Sequence, residues 1–222
     1  MRPNAKQEQR DKEKKELNKL REMGKIQPNP IDLLNDFTGY IKTNFPKSIS
    51  SPFYDINKNK LINVDNAKIN LALFYDIMAK YNFEYRLVFG TLLGIYRDGD
   101  LIKHDQDIDI GIRPSQLTVL EKALPELCEN GFNVTRYSKN MLVSLSRNDE
   151  YIDLYIFSDQ PNNTYTCGMY KLWEKDFTSP TEVEFMDRKF NTVSEIEPFL
   201  VTYYGQSWKT PIKGISANPK NR

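Results

Sequence analysis

Four consecutive residues constrain this chain more than any other feature: Asp107-Ile108-Asp109-Ile110. Polar and apolar residues alternate strictly. Successive side chains of a β-strand point to opposite faces, so Ile108 and Ile110 share one face while Asp107 and Asp109 share the other. The isoleucine face can enter a core. The other face sets two carboxylates side by side, and their repulsion costs free energy unless positive charge is supplied. A hard divalent cation meets that need, because Mg²⁺ takes oxygen ligands from one or two carboxylates and completes its shell with water and phosphate. The same Asp-x-Asp pair also occurs as a plain solvated face of an edge strand.

The flanking segments narrow the choice. Tyr85–Phe89 is predicted to be a strand and residues 91–97 a short helix, followed by an Asp-Gly-Asp turn and a second strand over Ile108–Ile112. Gly90 lets the backbone approach a ligand closely. The N–H groups at the start of the following helix suit an anion such as phosphate, and Thr91 adds a hydroxyl. The structural alternative is an ordinary strand-to-helix turn capped by Thr91. A third carboxylate, Asp153, lies in the β-patterned run Tyr151–Tyr155. If that strand pairs beside the first, three carboxylates cluster, which can hold two metal ions ~3.5–4 Å apart across a phosphoryl displacement. Arg97 and Lys103 are candidate phosphate contacts or ordinary surface charges. His104 is a candidate substrate contact or base, or a structural hydrogen-bonding residue.

The remainder reads as one α/β domain with an appendage. Residues 6–23 favour helix but carry a thin apolar stripe, so they form either a solvated helix or a basic arm that touches an anionic partner or membrane surface. Residues 1–30 are accordingly read as an extension and 31–222 as the folded unit. Helices are predicted near Ile31–Ile41, over Asp65–Tyr81 with Ile69, Leu71, Leu73, Ile77 and Met78 on one side, from Ser115 as cap toward Gly131, and over Ser194–Tyr204. Strands are predicted at Phe132–Arg136, Met141–Ser146 and Tyr151–Phe157. The fold class is a mixed β-sheet flanked by helices.

Composition excludes several classes. The chain has 222 residues, with Lys+Arg 31 against Asp+Glu 30, a balance too neutral for a protein that grips long duplex nucleic acid. Cys128 and Cys167 form no CxxC pattern, and the single His104 has no thiol near it in sequence, so no Cys/His metal cluster is expected. They read as free, buried thiols in a reducing compartment. Met1–Gly24 is charged without an apolar centre, and no run reaches the ~20 apolar residues of a membrane span. The expected setting is cytoplasmic, with peripheral membrane contact through the arm as an added expectation.

The run Gly90–Gly111, GTLLGIYRDGDLIKHDQDIDIG, resembles the signature of the LicD/fukutin-like family of phosphotransferases, GTLLG-x-x-R-x-G-x-x-I-x-W-D-D-D-I-D-I-G. Asp153 in YIDLYIF resembles that family's later acidic strand, and LVTYYGQSWKTP resembles its Y-G-x-x-W ending. The likeness spans about residues 70–211. His104 stands where Trp is usual and Gln106 where Asp is usual; by alternation Gln106 lies on the side of Ile108. The resemblance implies a nucleotidyltransferase-like fold. It also implies Mg²⁺-dependent transfer of a phospho-alcohol group, of the choline, ribitol or glycerol kind, from a CDP-linked donor to a sugar hydroxyl of a glycan. On that reading Asp107 and Asp109 bind Mg²⁺ or Mn²⁺, Asp153 binds a second ion or takes the hydroxyl proton, and Gly90 and Thr91 cradle phosphate. The alternatives are a nucleotidyltransferase that moves a nucleotide from an NTP, and a non-catalytic nucleotide-binding module.

Overall fold

The computed structural model describes residues 29–49, 60–212 and 217–218, together with Lys12, Lys15, Glu16 and Lys19. Those four residues are helical and exposed; the rest of the predicted N-terminal helix lies outside the described residues.

Helix α1 (Pro30–Asn44) starts where Asn29 accepts a hydrogen bond from the Ile31 N–H at 3.0 Å, with Pro30 in the first turn. An Asn cap followed by Pro satisfies one orphan donor and removes another. Leu33, Leu34, Phe37 and Ile41 are buried on it. After a one-turn helix, α2 (Pro46–Ile49), comes α3 (Val64–Ala79). Its buried stripe is Ala67, Asn70, Leu71, Phe74, Ile77 and Met78, a true 3.6-residue repeat. Ile69, expected on the inner side, is out of phase with this stripe and 54% exposed.

The central sheet has seven strands in the order β3-β4-β5-β2-β1-β10-β9. These are β1 (Arg86–Leu87), β2 (Ile108–Ile112), β3 (Asn133–Ser138), β4 (Leu142–Arg147), β5 (Glu150–Ile156), β9 (Thr181–Phe185) and β10 (Arg188–Thr192). The pairs β2–β5 and β1–β10 are parallel and the others antiparallel, so the sheet is mixed, as expected. Helix α4 (Phe89–Asp98) connects β1 to β2, and α5 (Gln116–Glu129) connects β2 to β3. Ser115, expected to cap α5, makes no side-chain cap bond; its backbone is already helical, which turns its hydroxyl away from the first free N–H groups.

A second sheet was not legible in the sequence. Strands β6 (Ser158–Gln160), β7 (Thr164–Cys167) and β8 (Tyr170–Trp173) form it in sequential order. They are short and lack a clean apolar alternation. Cys167 of β7 is a buried free thiol, whereas Cys128 of α5, expected to be buried too, is exposed. A short helix, α6 (Glu174–Thr178), follows, and α7 (Ile196–Tyr204) packs against α4.

The core lies on the isoleucine side of β2 and β5. Ile108, Ile110, Ile112, Ile152, Leu154 and Ile156 are all 0% exposed. They join Leu71 and Phe74 of α3 and Leu120 and Leu127 of α5 in one cluster. Leu34, Phe37 and Ile41 of α1 belong to it too, so α1 shares the core of the sheet. No helix among the described residues is long and apolar enough to cross a membrane.

Candidate active site

The parallel pairing of β2 with β5 matches Asp109 with Asp153 and Gly111 with Tyr155. Directly opposed residues in neighbouring strands point to the same face. Packing the isoleucines inward therefore forces the two carboxylates together on the other side. Asp109 is 6% exposed and Asp153 1%. Asp107 lies one residue before the strand begins and is half-buried. It still faces both partners, whose charges, with that of Asp105, add to burial in pushing its carboxyl well above the usual range. Asp109 is pushed up in the same way, by burial first and then by Asp105 and Asp153. Burial also raises Asp153, against the opposing pull of Arg136.

The turn between β1 and α4 builds the floor. Phe89 adopts a φ of 46°, a left-handed conformation that is rare for a bulky residue and found where surrounding structure enforces it. The enforcement here is aromatic. The Phe89 ring lies 4.4 Å from Tyr170, 5.3 Å from Tyr203 and 5.4 Å from Tyr155, centroid to centroid. This conformation starts the helix two residues earlier than predicted. It also aims the Gly90 N–H at Asp109 Oδ2, to which it donates at 3.0 Å. Thr91 is 2% exposed, and its Oγ1 accepts a hydrogen bond from the Asp109 N–H at 2.8 Å. The helix N-terminus and the Thr91 hydroxyl thus fix Asp109, and Thr91 is not among the residues that line the cleft.

Gly90 is required by its neighbours. A Cβ at this position would lie 2.0 Å from Asp105 Oδ2 and 3.3 Å from Asp109 Oδ2. Asp105 is therefore a fourth carboxylate of the site, lying over the glycine, and burial raises its carboxyl as well. Its loop is anchored by the Ile62 N–H donating to its carbonyl at 2.9 Å.

Asp105, Asp107 and Asp109 open with Gly90 and Tyr155 onto a cleft of about 380 Å³ whose lining also includes Tyr170, Tyr204 and Trp208; Asp153 lies outside this lining. Burial and the nearby Asp109 and Asp107 push the Tyr155 phenol well above its ordinary value. Tyr155 thus stays protonated, a hydrogen-bond donor facing acids. His104 and Arg97 also line the cleft. Arg97 donates to Asp98 at 2.8 and 2.7 Å and to the Trp208 carbonyl at 3.2 Å, which ties the aromatic wall to α4. Lys103 is exposed and outside the lining. Gln106 also departs from expectation. The strand starts only at Ile108, so alternation does not reach back to residue 106. Gln106 and Asp107 line both the cleft and a smaller pocket of about 60 Å³, whose lining adds Arg136 and Asp153.

The family model for the LicD/FKTN/FKRP nucleotidyltransferase domain matches residues 82–194. The chain belongs to this family. That match contains the floor, the carboxylates and the second sheet of the LicD-type domain. The ribitol-5-phosphate transferase FKTN of Mus musculus is 26% identical over 159 residues, 66% of this chain and 34% of that protein. The Homo sapiens protein of the same name is 24% identical over 160 residues, 67% and 34% of the two chains. The alignment thus spans about a third of the length of these relatives. Among solved structures, the lincomycin-bound lincosamide antibiotic adenylyltransferase LnuA superposes with a TM-score of 0.46 at 19% identity, covering 62% of this chain and 86% of that one.

Sequence reasoning missed Asp105, Phe89, Tyr155 and Arg136 as site residues. Tyr155 was within reach, because it stands two residues beyond Asp153 on the same strand face. Asp105 and Phe89 take their places from loop and turn geometry that no periodicity records.

Proposed function

We propose that this domain transfers a phospho-alcohol group from a CDP-linked donor to a sugar hydroxyl of a glycan, with Mg²⁺ or Mn²⁺ held by Asp107, Asp109 and Asp153. The observation that carries the reading is the carboxylate cluster itself. Burying several acids together is costly without positive charge, and the site keeps one buried carboxylate oxygen, Asp153 Oδ1, without a hydrogen-bond partner. Oxygen-only donors of this kind fit a hard divalent cation. Among the described residues no three acidic, His or Cys side chains are already set in a coordinating arrangement, so binding includes side-chain adjustment.

A divalent cation held by these carboxylates would supply positive charge to the donor diphosphate. The chain's own residues do the rest. Gly90, expected at a phosphate, instead leaves room for the Asp105 carboxylate beside Asp109. Tyr155 donates a hydrogen bond toward the acids or the phosphate they surround. Tyr170, Tyr204 and Trp208 offer flat apolar faces suited to a pyrimidine or a sugar ring. The acceptor hydroxyl gives its proton to a carboxylate of the cluster and attacks in line with the departing CMP.

The test is CMP release from CDP-ribitol, CDP-choline, CDP-glycerol and CDP-ethanolamine with Mg²⁺ and a panel of glycans. The FKTN relatives' name makes CDP-ribitol the first donor to try. CMP release that is lost in Asp107→Ala and in EDTA supports the proposal. Pyrophosphate release from an NTP would replace it with nucleotidyl transfer.

A further inference from the structure

Arg136 stands within the carboxylate site, at the end of a row that crosses four strands. The ladders set Arg136 opposite Ser144, Ser144 opposite Asp153, and Asp153 opposite Asp109. A guanidinium, a hydroxyl and two carboxylates therefore share one face of the sheet. The alignment depends on an irregularity in β3. Val134 pairs with Leu145, and the next pair is Arg136 with Ser144, so Thr135 is an extra residue. Without this bulge Thr135 would stand opposite Ser144, and Arg136 would turn to the isoleucine face, where a charge cannot be buried. Bulges of this kind re-aim side chains beside active sites.

The contacts follow the alignment. Arg136 Nε donates to Ser144 Oγ at 2.8 Å and Nη2 to Asp153 Oδ2 at 2.5 Å. The two ion-paired side chains are 12% and 2% exposed. Asp153 is thus committed unequally, Oδ2 to the guanidinium and Oδ1 to no hydrogen-bond partner. A guanidinium keeps its charge at any working pH and presents a rigid donor fork that suits phosphate oxygens. A second divalent ion on Asp153 would have to share the carboxylate with that fixed positive charge.

We infer that Arg136 takes the place of a second divalent cation, so that the site binds one metal ion and the guanidinium supplies the other positive charge beside the transferred phosphate. The inference rests on the metal-dependent reading above, and it fixes the number of ions at one, where the sequence suggested two. Asp153 would then serve both positive charges, since Arg136 holds Oδ2 and leaves Oδ1 without a hydrogen-bond partner.

The experiment is a Mn²⁺ titration of the full chain, counting bound ions by the electron paramagnetic resonance signal of free Mn²⁺. No donor or acceptor is needed. Wild type and Arg136→Lys are expected to bind one ion per chain, and Arg136→Met, checked for folding by circular dichroism, two. Two ions on the wild-type chain would overturn the inference even if Arg136→Met failed to fold. A folded Arg136→Met that still bound one ion would also overturn it. A wild-type chain that bound no Mn²⁺ would remove the metal-dependent reading itself, and this inference with it.

Discussion

The strands β2 and β5 present one backbone to two opposite environments. On one face Ile108, Ile110, Ile112, Ile152, Leu154 and Ile156 are completely buried and hold the sheet to α3 and α5. On the other face stand Asp109, Asp153 and Tyr155; Asp109 and Tyr155 line a cleft with Asp105 and Asp107, and Asp153 lines the smaller pocket that shares Asp107 with it. The first face stabilises the fold by removing apolar surface from water. The second works against it, since burial and mutual repulsion hold the carboxyls of Asp107 and Asp109 well above their usual range. The rigid apolar side keeps the acids in place against that repulsion. A site that carries strain in the resting protein is a common cost of function.

One substitution on each face tells the two roles apart. Asp109→Asn keeps the shape and an oxygen for the Gly90 N–H. CMP release is expected to fall by about 10²–10³-fold, the size of loss when one preorganised electrostatic group is removed. The thermal midpoint without metal should stay level or rise. A midpoint that dropped by several degrees would assign Asp109 to the fold rather than to the chemistry. Ile110→Ala, on the opposite face of the same strand, should cost about 2–5 kcal/mol in denaturant unfolding, as buried Ile truncations do. Its effect should appear in stability before activity.

A smaller effect is expected from Gly90→Ala. The added methyl would collide with Asp105 Oδ2 and displace that carboxylate. Turnover should fall by about 10–100-fold, as when a group supporting a metal site is disturbed, with little change in the unfolding midpoint. Wild-type turnover in this variant would show that Asp105 is dispensable.

The pH dependence of stability separates the faces further. Asp107 and Asp109 have folded-state values raised above their unfolded ones. The stability they contribute is therefore fully present below the unfolded carboxylate value of about 4 and is lost as pH rises through the raised folded values. Unfolding midpoints of the metal-free chain should fall across this range, and the fall should be shallower in Asp109→Asn. Parallel pH profiles would contradict the assignment. The smallest effect is expected at Lys103, exposed and outside the cleft lining. Lys103→Ala should shift stability by no more than about 0.5 kcal/mol and leave turnover unchanged.

Local pattern was enough for the elements that follow a strict period. The alternation at 107–110 predicted β2 with its true bounds, because one buried face leaves no other register. The helices α1, α3 and α7 were legible for the same reason, although Ile69 shows that a list of apolar residues is not yet a stripe. The family signature lay in a contiguous run and needed no tertiary structure. What sequence could not decide was anything made by pairing distant segments. Asp153 joins Asp109 only through the β2–β5 ladder. Arg136 reaches Asp153 only because one extra residue in β3 shifts its register. Thr91, expected at a phosphate, is spent on the backbone of Asp109 because the turn at Phe89 winds left-handed. Periodicity reports which face a side chain takes, since that depends on its own strand or helix alone. Which groups share that face is settled by register, bulges and loop anchors, and those follow from the packing of the whole chain.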